Sequence, residues 1–104
     1  MSTTLLTLIA VTPDAERLCV ANAYVVSQVQ SLRAAEASLA HWTESERWYR
    51  KDARRNHNRT PDFTADGIQR AREACADERA RILVLNERID EALKVVEVLE
   101  AMHL

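Results

Sequence analysis

Arg54-Arg55-Asn56-His57-Asn58-Arg59-Thr60-Pro61-Asp62 is the stretch whose reading decides the fold. On both sides of it, apolar residues recur at three- and four-residue steps. Within it that recurrence stops, and asparagines and a proline replace the good helix formers. The chain is therefore expected to reverse direction here, with the turn at residues 58–63.

Upstream, Leu18, Ala21, Val25, Val29, Leu32, Ala35, Leu39, Trp42 and Tyr49 form one apolar stripe, interrupted mainly by Glu46. Thr12-Pro13-Asp14 reads as its start: threonine caps free backbone N–H groups, proline suits the first turn, and aspartate complements the positive end of the helix dipole. A helix over 13–57 is expected after an N-terminal segment, 1–12. Thr43-Glu44-Ser45-Glu46 has the capping-box pattern, so a break near 42–44 is the alternative to one continuous helix.

Downstream, Thr64 reads as the cap of a second helix over 64–102, and Phe63 is placed to pack on Ile68 across the first turn. Its stripe is Ile68, Ala71, Cys75, Ile82, Leu85, Ile89, Ala92, Val96 and Leu99, a coiled-coil-like seam with Glu78 as its one charged member. A short polar link makes the two helices antiparallel neighbours, so facing positions add up to about 121. That register sets Val25 beside Val96, Leu32 beside Ile89 and Leu39 beside Ile82.

The rest of the composition agrees with an all-α hairpin. Gly67 is the only glycine among 104 residues, and Pro13 and Pro61 are the only prolines, too few for the tight turns of an all-β fold or for phosphate-binding loops. The length suits a single helical domain over 1–104. No apolar run approaches the ~20 residues of a membrane span, and Leu5–Val11 has neither a preceding basic residue nor a small-residue cleavage site. The expectation is a cytoplasmic protein with no membrane partner.

One seam does not account for all the apolar residues. Between Leu18 and Val29 they run nearly all the way round the first helix, and the second is equally broad over Ile82–Leu85 and Val95–Leu99. Leaving several such side chains wet forgoes about 1.5–3 kcal/mol each, comparable in sum to the stability of a small domain. The cover is expected from a second copy forming a four-helix bundle, through Val20, Tyr24, Val26, Leu83, Val95 and Val98. The segment Leu5–Val11 and a folded-back helix are the other candidates.

Chemistry-bearing clusters are few. The net charge of −2 is unevenly spread: residues 41–60 carry six basic and three acidic side chains, residues 82–104 two basic and five acidic. Arg47, Trp48, Arg50, Lys51, Arg54, Arg55 and Arg59 form an aromatic, basic segment suited to a protein partner, or alternatively to nucleic-acid phosphates. The competing reading is a solvated helix face whose arginines pair with Glu44, Asp52 or Glu73.

Glu100-Ala101-Met102-His103 has Glu-x-x-His spacing but lacks facing carboxylates, so no metal is expected, and no cofactor. The register puts Cys19 near residue 102 and Cys75 near Glu46, which rules out a bridge and reads both as buried thiols. His41, His57 and His103 are scattered, and Glu87, Asp90 and Glu91 read as a solvated face, so no catalytic grouping is expected. The functional expectation is a non-enzymatic, oligomeric interaction protein: an adaptor, a structural subunit or an inhibitor of a larger complex, of the kind phages make.

Overall fold

A computed structural model of the chain describes residues 3–55 and 61–102, and the side chains of residues 5–54 and 65–102. It consists of helix α1 (Thr3–Ala10), a 3-10 turn (Asp14–Glu16), helix α2 (Arg17–Arg55) and helix α3 (Pro61–Met102), with no strand among the described residues. The all-α expectation holds, and α2 lies antiparallel to α3 as expected of a hairpin. The chain divides into two compact units, one of Met1–Arg33 with Leu83–Leu104, the other of Ala34–Ile82.

In the first unit α1 folds onto α2 and α3. Ala21, Val96 and Leu99 form a buried cluster, with Ile9, Leu18, Val25 and Val95 packed against it. Val25 thus lies against the group that contains Val96, as the expected register requires. Leu5 of α1 is 0% exposed and is the largest wholly buried side chain among the described residues. The N-terminal segment therefore supplies part of the cover that the broad apolar surface demands.

Helix α2 starts later than expected, and Thr12 does not cap it. The Thr12 hydroxyl donates to the Leu8 carbonyl (2.6 Å) and its N–H to the Ile9 carbonyl (3.1 Å), so the residue closes α1. Its neighbour Pro13 disfavours helix at Thr12 and breaks the chain there. The 3-10 turn follows without a side-chain cap, held by Glu16 N–H donating to the Pro13 carbonyl (2.9 Å). Arg17 then ties the junction together, through Nε to the Thr12 carbonyl (2.9 Å) and an ion pair with Asp14 (2.8 Å).

In the second unit α2 is continuous through 42–44. The capping-box hydroxyls bond backward instead: Thr43 Oγ1 donates to the Leu39 carbonyl (2.8 Å) and Ser45 Oγ to the His41 carbonyl (3.0 Å), each one turn behind. Ala35, Ala71, Cys75 and Gly67 are buried here, and such small side chains on the facing sides let two helices pack closely. Helix α3 begins at Pro61, so Thr64 lies within it and is not its cap. Proline's fixed φ and missing N–H suit a first helical position. The proposed Phe63–Ile68 packing involves a side chain outside those described.

That earlier start shifts the pairing by about one helical turn. Cys75, expected beside Glu46, lies beside Thr43, with Sγ 3.8 Å from Oγ1. Glu46 instead meets Arg72, and Tyr49 meets Gly67. Leu39 and Ile82 line one groove, so the expected register is right to within a turn.

Candidate interaction surfaces

The aromatic, basic segment lies on the second part of α2, where an unbroken helix keeps Arg47, Arg50, Lys51 and Arg54 within about 100° of one another around the axis. Arg47 pairs with Glu44 (3.0 Å), both largely exposed. Arg50 pairs with Glu46 (2.9 Å), and Arg72 of α3 reaches the same carboxylate oxygen through Nε (3.2 Å). Glu46, which interrupts the seam in sequence, thus links the two helices and is tolerated there because two guanidinium groups donate to it. The Arg50 hydrogen bond holds the Glu46 carboxyl below its ordinary pKa. Partial desolvation opposes that shift, and the Arg72 hydrogen bond and both positive charges add to it.

Trp48 is half exposed and meets Tyr49 edge to face at 5.1 Å, while the half-buried Trp42 meets His41 the same way at 5.3 Å. Lys51 and Arg54 are exposed. The Arg55 side chain, His57 and Arg59 lie outside the described residues. Of the seven side chains expected to bind a partner, Arg47 and Arg50 are therefore engaged in ion pairs within the chain. An open groove of about 480 Å³ runs beside them, lined by Glu36, Leu39, Ala40, Thr43, Glu44, Arg47 and Ile82.

The first unit carries a different surface. Of the residues expected at an oligomer interface, Val26 (56% exposed), Leu83 (66%) and Val98 (59%) face solvent. Val20 and Tyr24 are half-buried, and Val95 packs on the core cluster. Further apolar side chains of this unit are exposed: Leu6, Leu8 and Val11 at the N-terminal end, and Val84, Leu93 and Met102 on α3. A groove of about 360 Å³ between α1 and α3 is lined by Leu6, Ile9, Val95, Val98 and Leu99, with Lys94 as its single charged residue. The segment Leu5–Val11, which the sequence offered as a cover second to another copy of the chain, thus supplies part of that cover as α1.

Cys75 is buried as expected, but Cys19 is exposed. Cys19 directly follows Leu18, and adjacent helical residues lie about 100° apart, so the half-buried leucine and the thiol point in different directions. Glu87 and Asp90 are solvated as expected, whereas Glu91 is half-buried with Oε2 shielded and without a hydrogen-bond partner. Among the described residues no three His, Cys, Asp or Glu side chains gather around one point, and His103 lies outside them. No helix among them is long and apolar enough to cross a membrane. Set against known protein families, curated proteins and solved structures, the chain matches none.

Proposed function

We propose that the chain is a non-enzymatic interaction protein, an adaptor, structural subunit or inhibitor that assembles with other protein through the apolar surface of its first unit. The carrying observation is that Val26, Leu83 and Val98 stay exposed in the first unit even with α1 docked, and that Val98 also lines the apolar α1–α3 groove. Apolar side chains left exposed around an apolar groove are a usual mark of a protein contact. The same reading takes the protein to act in the cytoplasm.

Photo-crosslinking side chains at Leu83, Val98 and, as a control in the second unit, Glu73 test this in cells that make the protein. Protein adducts from Leu83 and Val98 but not from Glu73 are expected. No adduct from either aliphatic position overturns the reading.

Nucleic acid is the competing partner, and it would rest on Lys51 and Arg54. Its support is reduced by the intrachain pairing of Arg47 with Glu44 and of Arg50 with Glu46. Binding to DNA or RNA that weakens steeply between low and high salt and disappears in an Arg54→Glu variant would establish it in place of the first reading.

A further inference from the structure

We propose that the protein partner is a second copy of this chain, paired antiparallel along the outward stripe of α3 formed by Leu83, Glu87, Asp90, Lys94 and Val98. The inference rests on the interaction reading above and specifies its partner. Leu85, Ala92, Val96 and Leu99 are buried and mark the inner face of α3. At 3.6 residues per turn, the five stripe residues lie opposite that face, and all five are exposed.

The stripe is chemically symmetric about its middle. Read in either direction it runs from an aliphatic residue to a charged one, through Asp90, to a charge of the opposite sign and a final aliphatic residue. A twofold axis near Asp90 sets Leu83 of one copy against Val98 of the other, and Glu87 against Lys94, each contact occurring twice. This is the self-complementarity that an isologous interface requires, where residue i meets j and j meets i. A parallel arrangement would put Glu87 against Glu87. Neither Glu87 nor Lys94 forms an ion pair among the described residues, so both are available to a partner.

Lys94 and Val98 also line the groove against Leu6 and Ile9, so the contact continues past α3 onto α1. The two copies of Asp90 meet near the axis, an unfavourable like-charge contact that limits the affinity.

Sedimentation of the purified full chain over a concentration series tests the pairing, with circular dichroism to check that each variant is helical. A reversible dimer is expected. Glu87→Lys alone, or Lys94→Glu alone, sets like charges face to face twice and weakens it roughly tenfold. The double variant Glu87→Lys/Lys94→Glu restores both attractions and returns the dissociation constant to near its original value, while Asp90→Asn tightens it. Loss of helicity cannot mimic the rescue, because rescue requires that each charge meet the other in the second copy. A dimer that ignores the single reversals, or is not restored by the double, overturns the pairing. So does a strictly monomeric chain, and cell adducts from Leu83 and Val98 to a different protein would then leave the broader reading standing.

Discussion

The ring of Tyr49 lies so close over Gly67 that a β-carbon at residue 67 would stand 2.5 Å from its Cε1 and 2.6 Å from its Cδ1. The only glycine of the sequence therefore does not mark a turn: it sits inside α3, without positive φ, where a tyrosine from α2 needs the room.

Gly67→Ala follows from that contact. In an open helix the change would stabilise by about 1 kcal/mol through propensity. Here the ring must move, and overpacking costs about 1–3 kcal/mol, so a net loss of up to about 2 kcal/mol is expected in urea unfolding. In a Tyr49→Ala background the same substitution becomes stabilising. Additive effects in that double-mutant cycle would show that the ring does not press on the glycine.

Glu46 gives a pH dependence with a defined sign. Its folded pKa lies below the ordinary glutamate value, chiefly through the Arg50 hydrogen bond. The folded state therefore favours the charged form. The associated stability is present above the unfolded pKa and is lost as pH falls through the lowered folded value. An NMR titration should find Glu46 shifted down, with Arg50→Ala moving it back further than Arg72→Ala. A Glu46→Gln chain should lose less stability on acidification than the parent.

Ala21 and Ala23 are two residues apart on α2, one wholly buried and the other exposed. Ala21→Leu forces three extra carbons between packed helices and is expected to cost about 1–3 kcal/mol, or more if α3 is pushed away. Ala23→Leu should stay within about 0.5 kcal/mol of the parent. Equal effects at the two positions would contradict the placement of Ala21 on the α3-facing side.

The two thiols should differ in accessibility. With a thiol-specific dye, Cys19 is expected to react in the native chain and Cys75 only after denaturant is added. Cys19→Ser should therefore abolish native labelling. Fast labelling that persists in that variant would show that Cys75 opens readily from its place beside Thr43.

The two candidate surfaces were legible in the sequence to different degrees. Val26, Leu83 and Val98 could be expected on an outer apolar face because they fall outside the seam positions. The arginine cluster looked like one binding patch because sequence proximity hides which guanidinium is already satisfied. Arg50 and Arg72 converge on Glu46 from two helices, a relation that spacing along one helix cannot reveal.

The sequence by itself determined the two long helices and their facing stripes. Ala21, Ala35, Ala71, Cys75, Leu85, Ala92, Val96 and Leu99 all lie in the two predicted seams and are all buried, because helical periodicity is a local property that neighbouring residues record directly. Only the tertiary structure decided which carboxylate meets which arginine, why Gly67 lacks a side chain, that Leu5 closes the first unit and that the pairing is displaced by one turn. Each of these depends on groups far apart in the chain that meet only after the helices dock, and their contact energies leave no periodic trace in the sequence.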